Sequence, residues 1–335
     1  MIKKIMKVVV LKKFGSAENF EVIEKPVPSL RPGHVLVKIY ASSVNPVDFK
    51  IRQGLLPIGP DLPAVLHGDM SGEIVEVGQG VTDFRKGDLV YGCVGGFSGL
   101  PGVLAEFVLA DAQLLAHKPK NLSFEEAAVL PLVSITSWNA LVDRAKVKKG
   151  QRALVHAGMG GVGHIAFQLA KALGAEVHIT CSSEVKARRT KELGVDSAIN
   201  YKKLSVKDYV ESYTEGMGYD VVFDTVGGSC LDDSFSAARV NGTVVSIAAR
   251  ASHDLSQVHI KSLTLHVVFM LLPLIMNEGR SRHGEILSEL SKLVENNQIR
   301  PILHSESFSF EDVGSAHNCL EEGNVLGKVS LVSNW

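Results

Sequence analysis

The stretch Ala157-Gly158-Met159-Gly160-Gly161-Val162-Gly163 decides the fold. The apolar run Ala153-Leu154-Val155 precedes it and reads as a buried strand. Val162, Ala166, Leu169 and Leu173 follow near the spacing of one helix face, and Gly174 stands where such a helix would stop. Gly158, Gly160 and Gly163 thus form G-x-G-x-x-G between a predicted strand and a predicted helix, the context that lifts this pattern above chance. In that setting Gly158 allows a tight turn, Gly160 lets backbone approach a pyrophosphate, and Gly163 lets helix pack close to strand. The amides at the helix start face the anion, with the helix dipole behind them. The plain alternative is a glycine-rich turn with no ligand, and the strand–helix alternation that continues to Ile247 speaks against it.

Beyond the turn, Glu176–Thr180 reads as a second buried strand and Lys186–Leu193 as a helix ending at Gly194. Ser197–Asn200 is a short strand, Val206–Tyr213 a helix, and Tyr219–Asp224 a strand closed by Gly227-Gly228. A helix near Leu231–Ala238 and a strand Thr243–Ile247 follow. This alternation means a parallel, doubly wound sheet, an α/β fold with its ligand at the carboxyl ends of the strands. His266–Leu272 is read as one more strand at the sheet edge, able to pair with another subunit. Gly284–Asn297 is read as an amphipathic helix with Ile286, Leu287, Leu290, Leu293 and Val294 inward.

Residues before about 125 have a different texture. Met6–Leu11, His34–Tyr40, Gly72–Gly78 and Gly87–Gly92 read as short strands, separated by Pro and Gly punctuation. Their spacing suggests a small barrel or partly open sheet. The tail beyond Pro301 returns to short strands ending in Gly327–Val332 and is expected to rejoin this part. The expected domains are therefore 1–125 with 300–335, and 126–299.

The chain has 335 residues, 45% hydrophobic and 21% charged, which fits a two-domain globular protein. A net charge of -1 carries no footprint for nucleic acid or an anionic membrane. Cys93, Cys181, Cys230 and Cys319 are scattered, without C-x-x-C, which argues against a zinc knot or disulfide framework. Lys7 interrupts the apolar residues after Lys3 and Lys4, so no signal core is read and a cytoplasmic protein is expected.

Two polar groups stand out in apolar surroundings. In Asn45-Pro46-Val47-Asp48-Phe49-Lys50, Pro46 fits the first position of a short helix. Asn45 and Asp48 could be catalytic or simply caps, and Lys50 a donor or a solvated side chain. His67 beside Asp69 supplies too few ligands for a metal, and a turn histidine is the simpler reading.

The second strand of the doubly wound part ends Thr180-Cys181-Ser182-Ser183-Glu184-Val185-Lys186. An acid at that strand end commonly holds a ribose 2′-hydroxyl, and here hydroxyls stand instead. Ser182, Ser183 and Lys186 can donate to a 2′-phosphate, so NADPH is expected over NADH. Glu184 would reverse this if it turned inward. Arg188 and Arg189 read as a solvated helix face.

The glycine run, Asn45–Gly54, Gly68-Asp69-Met70-Ser71-Gly72 and Asp224-Thr225-Val226-Gly227-Gly228 together resemble the medium-chain dehydrogenase/reductase superfamily. The chain is most similar to its zinc-free quinone oxidoreductases and enone reductases. The resemblance implies a GroES-like β-rich catalytic domain joined to a Rossmann domain. It places Asn45 at the first zinc-ligand position of the metal-dependent members, and Gly68 and Asp69 at their histidine–glutamate pair, so no metal is expected. It further implies Thr136 near the nicotinamide, Gly160, Gly161 and Val162 over the pyrophosphate, and Ser182, Lys186 and Tyr201 at the 2′-phosphate. Val226 and Ile247 would line the adenine and nicotinamide sides, with plain core packing as the alternative, and Lys328 would close over the cofactor. Lys50 stands where many quinone reductases of this type have tyrosine, which resembles the enone reductase branch. The expected activity is NADPH-dependent reduction of a quinone or an α,β-unsaturated carbonyl, with Lys50 and Asn45 as hydrogen-bond donors and Asp48 in an orienting role. A homodimer is the assembly the family suggests. A zinc-type alcohol dehydrogenase and a non-catalytic NADPH-binding protein are the alternatives.

Overall fold

β-Branched residues set the first strand: Val8, Val9 and Val10 are buried in β1 (Ile5–Leu11), which pairs antiparallel with β2 (Phe20–Pro26). The computed structural model describes residues 4–335, so Lys3 lies outside the described residues. The chain divides into two units.

The first unit is built on β3 (His34–Ser43), β4 (Asp69–Val77), β5 (Leu89–Cys93), β6 (Phe107–Asp111) and β7 (Leu115–His117). Antiparallel pairs join β3 to β4, β4 to β5 and β5 to β7, and β6 adds to β3. In β3 Val35, Leu36 and Val37 are all buried, so both faces of the strand are covered. Leu36 belongs to a cluster with Met6, Val8, Val10 and Phe107.

The second unit carries β8 (Arg152–Val155), β9 (Glu176–Cys181), β10 (Ser197–Asn200), β11 (Tyr219–Asp224), β12 (Ala238–Ser246) and β13 (Thr264–Val267). All pair in parallel in the order β10-β9-β8-β11-β12-β13. The winding reverses between β8 and β11, the place where such sheets bind ligands. Leu154, Val222, Val244, Tyr219 and Phe235 form the core on one face. The edge strand ends at Val267 instead of reaching Leu272, and Leu272–Met276 is a short helix. Pro273 explains the change: it cannot donate to a strand ladder and suits a helix start.

The tail supplies β14 (Phe308–Ser309) and β15 (Ser330–Val332), and β15 pairs with β3 in the first unit. Between them lies a helix, Val313–Glu321, absent from the sequence reading. Leu271–Asn296 also falls in the first unit, although sequence assigned it to the second. Its Ser281–Glu295 helix does bury Ile286, Leu287, Leu290 and Val294. It is tied down by Tyr91, whose hydroxyl donates to Leu287 O at 2.7 Å, and by Ser291, whose hydroxyl donates to His117 O at 3.1 Å. Gly284 makes the approach possible, because a Cβ there would lie 2.6 Å from Gln113 O and 2.8 Å from Leu115 O. Both are backbone atoms that cannot swing aside. Gly284→Ala is therefore expected to destabilise the protein by about 1–3 kcal/mol, read as a lower urea midpoint; an unchanged midpoint would show that the helix does not press on this strand.

Candidate active site

In the first unit, the polar residues singled out between β3 and β4 converge on one buried cluster. Pro46 starts the short helix Pro46–Arg52, and Asp48, at its third position, accepts the Asn45 N–H at 2.7 Å. Asp48 therefore fixes the loop that carries Asn45. Burial pushes its carboxyl up to about 7, against the opposing pull of the Asn45 N–H and the Lys328 ammonium. The Asn45 carboxamide is held at both ends: Nδ2 donates to Asp69 Oδ2 at 2.8 Å, and Oδ1 accepts from Lys328 Nζ. Lys328 also donates to Val44 O at 2.8 Å. Asp69 accepts further from Ser43 Oγ at 3.0 Å and from the Leu132 N–H at 2.8 Å. Desolvation raises the Asp69 carboxyl and lowers the Lys328 ammonium. The structure thus places Lys328 beneath Asn45, whereas Lys50, two residues beyond Asp48, is exposed.

A second buried chain holds the far end of the same helix. His67 Nδ1 faces Ser43 O at 2.9 Å, His67 Nε2 faces His317 Nε2 at 2.8 Å, and Arg52 Nε donates to His317 Nδ1 at 3.2 Å. Only one proton arrangement satisfies all three contacts. His67 donates from Nδ1 to the carbonyl, His317 donates from Nε2 to His67, and both rings are neutral. Burial agrees, lowering His67 to about 3 and His317 well below its usual value. Arg52 also bonds Gly15 O and Glu321. His67 is a turn histidine, with φ of 69°, as expected; its partner 250 positions away had no sequence signal.

The donor set at this cluster does not fit a zinc ion. Gly68 offers no ligand, and a Cβ there would already lie 2.7 Å from Gly95 O and 2.8 Å from the Phe97 ring. Asn45 and Asp69 are engaged with each other and with an ammonium, the wrong partner for a cation. Among the described residues no three His, Cys, Asp or Glu side chains are grouped to hold a metal.

In the second unit, the glycine turn leaves β8 and enters the Gly161–Ala172 helix, with Gly160 as its N-cap. The left-handed position is Ala157, at φ 49°, not a glycine. Gly158 is needed for room instead: its Cβ would lie 2.5 Å from Ile179 Cβ on β9, while a Cβ on Gly163 would lie 2.2 Å from Ala157 O. At Gly160 an added Cβ would meet only Ala157, at 3.2 Å or more, which leaves that side open to a ligand. Gly161, Val162 and Gly163 form the first turn, whose amides have no intrahelical acceptor. A cavity of about 1100 Å³ opens at the strand ends, bounded in part by Ala157, Thr180, Tyr201 and Val226. His156 Nε2 and the Tyr209 hydroxyl, both buried in its lining, have no protein partner. These features fit an adenine dinucleotide.

The other residues singled out in this unit lie as follows. Ser183 caps the Glu184–Glu192 helix, accepting the Lys186 N–H at 3.3 Å. The Tyr201 N–H donates to Cys181 O at 3.2 Å, which brings Tyr201 beside Ser182 at the end of β9. Glu184 is turned onto Lys203, at 2.8 Å, a residue the sequence reading did not single out. Asp224 accepts the Val226 and Gly227 N–H groups, both at 2.9 Å, and leaves Val226 exposed. Ile247 is half-buried at the end of β12, and Thr136 is buried on the Pro131–Trp138 helix.

Residues 31–120 match the alcohol dehydrogenase GroES-like domain, and residues 161–283 match the zinc-binding dehydrogenase domain. The chain is 34% identical over 312 residues to 2-methylene-furan-3-one reductase of Solanum lycopersicum, covering 91% of this chain and 73% of that protein. A solved alcohol dehydrogenase superfamily protein from Novosphingobium aromaticivorans superposes with a TM-score of 0.94 at 40% identity, covering 98% of this chain and 99% of that one. The quinone oxidoreductase from Coxiella burnetii superposes with a TM-score of 0.84 at 32% identity, with the same coverage. The chain belongs to the medium-chain dehydrogenase/reductase family, with a GroES-like domain and a Rossmann domain, and it is an oxidoreductase that uses a nicotinamide cofactor.

The neutral histidine pair has a pH signature. Each ring titrates near 6.5 when unfolded and lower when folded, His67 at about 3 and His317 well below its usual value, so the pair's contribution is complete above pH 6.5 and is lost as pH falls below it. Between pH 7.5 and pH 5 the wild type should lose about 2 kcal/mol per histidine. His317→Phe should show a shallower decline in urea midpoint over the same interval; parallel curves would disprove the neutral pair.

Proposed function

We propose that the protein reduces quinones or α,β-unsaturated carbonyls with NADPH and without zinc. The observation that supports this is the Asn45–Lys328–Asp69 cluster: where the resemblance puts the first zinc ligand of the metal-dependent members stands an amide clamped between an ammonium and a carboxylate. An isolated ketone needs strong stabilisation of a developing alkoxide, which a metal supplies at several kcal/mol. A conjugated acceptor spreads that charge over its own framework, so hydrogen bonds and orientation suffice. The relatives named for an enone reductase and a quinone oxidoreductase agree with this class.

The bound nicotinamide would supply the hydride. This chain's residues would do the rest. Gly158, Gly160, Gly161, Val162 and Gly163 would receive the pyrophosphate, and Ser182, Ser183, Lys186 and Tyr201 the 2′-phosphate. Thr136, Val226 and Ile247 would border the bases. Lys50, exposed on the short helix, would donate to the developing enolate or hydroquinone oxygen, with solvent as the final proton source. Asn45 would present its loop to the substrate, and Asp48 and Lys328 would hold that loop in place.

The edge of β13 and the exposed Val267 and Phe269 support a homodimer built on that edge. Cys93, Cys181, Cys230 and Cys319 are all free thiols, which suits a reducing compartment such as the cytoplasm. No helix among the described residues is long and apolar enough to cross a membrane.

Purified protein incubated with NADPH and a panel of quinones, enones and saturated ketones should oxidise NADPH only with the conjugated acceptors, and should contain far less than one zinc per chain after dialysis. Turnover of saturated ketones with stoichiometric zinc would overturn the reading. Lys50→Ala should lower kcat about 100-fold with little change in stability; an unchanged kcat would remove Lys50 from the chemistry.

A further inference from the structure

We propose that Lys203 sets the preference for a 2′-phosphorylated cofactor by neutralising Glu184. The inference rests on the NADPH reading given above. Glu184 is the one acid between Thr180 and Lys186, at the strand end where a carboxylate would receive a ribose hydroxyl and repel a phosphate. Left alone, it would favour the unphosphorylated cofactor.

It is not left alone. Lys203 Nζ lies 2.8 Å from Glu184 Oε1, and Asn200 Nδ2 approaches the same oxygen at 3.5 Å. Lys203 is the main cause of a carboxyl held below the usual range, with Asn200 second. Asn200 ends β10 and Lys203 lies in the turn that follows, and both are fastened to β9. Asn200 pairs with Cys181 in the parallel ladder, and the Tyr201 N–H donates to Cys181 O. Within the turn, the Lys203 and Leu204 N–H groups donate to Asn200 O at 2.9 and 3.2 Å, and the Lys202 N–H donates to Asn200 Oδ1 at 3.1 Å. The ammonium is thus delivered to Glu184 by the same short loop that carries Tyr201.

The ion pair is open to water, with side chains 66% and 62% exposed, so it adds little to stability. Its consequence is local charge. With Lys203 present the Glu184 carboxylate is paired, with Arg188 as a weaker second cation. Without Lys203 a doubly charged phosphate meets a carboxylate that has lost its nearest positive charge.

Binding of 2′,5′-ADP and 5′-AMP, measured by calorimetry on the full chain, separates the possibilities without any turnover. The wild type should bind 2′,5′-ADP more tightly. Lys203→Gln should weaken 2′,5′-ADP about ten-fold and leave 5′-AMP within about two-fold, the size expected for one solvent-screened charge against a phosphate. Lys203→Arg should behave as the wild type. The decisive variant is Glu184→Gln with Lys203→Gln, which should regain most of the lost affinity. If the double variant stays as weak as Lys203→Gln, Lys203 grips the phosphate itself and the proposal is wrong; an unaltered Lys203→Gln also overturns it. A wild type that binds 5′-AMP as tightly as 2′,5′-ADP would instead overturn the NADPH reading, and this proposal with it. Retained 5′-AMP binding shows that each variant is folded.

Discussion

One buried constraint organises the catalytic unit: the Lys328 ammonium lies under Asn45, with two carboxylates close by. An ammonium taken out of water is costly unless charge and hydrogen bonds compensate it. Asn45 Oδ1 and Val44 O supply the bonds, and Asp69 and Asp48 supply the opposing charge. The same groups then have no freedom left. Asp69 is fixed by Ser43, Asn45 and Leu132, and Asp48 by the Asn45 N–H. The loop after β3, the start of β4 and the tail strand β15 are locked to one another by electrostatics, in addition to the β3 ladder. Lys50 rides on the one short helix that this lock and the Arg52–His317–His67 chain hold at its two ends.

The cofactor unit uses a different device, the absence of side chains. Gly158 and Gly163 are there because β9 and the turn's own backbone leave no space for a Cβ, while Gly160 keeps one face of the turn bare. Steric compression, not left-handed backbone, explains two of the three glycines, since Ala157 takes the left-handed position. The same principle acts in the first unit at Gly284, where a helix lies directly on strand backbone.

Much of this was legible in the chain. Strand–helix alternation gave the parallel sheet, since its strands are short apolar runs and its helices carry a periodic face. The glycine turn was read from its spacing between strand and helix, Ser183 and Lys186 from their place at the end of the second strand, and Tyr201 from the family resemblance. The edge strand was over-extended, because Val267–Leu272 is apolar throughout and apolarity does not distinguish strand from helix start. The Val313–Glu321 helix was missed because Gly314 and Ser315 weaken its pattern, although Gly314 lies where the chain packs closely on Ala17.

By itself the sequence determined the class of fold and the dinucleotide turn, because each depends on residue types at short, fixed spacing. Only the tertiary structure decided that Lys328 belongs under Asn45, that His67 meets His317, that Glu184 is answered by Lys203, and that Leu271–Asn296 joins the first unit. The reason is the same in each case. These partners are brought together by sheet pairing and helix packing, and a buried charge or ring chooses its partner by distance in space, a quantity that spacing along the chain does not encode.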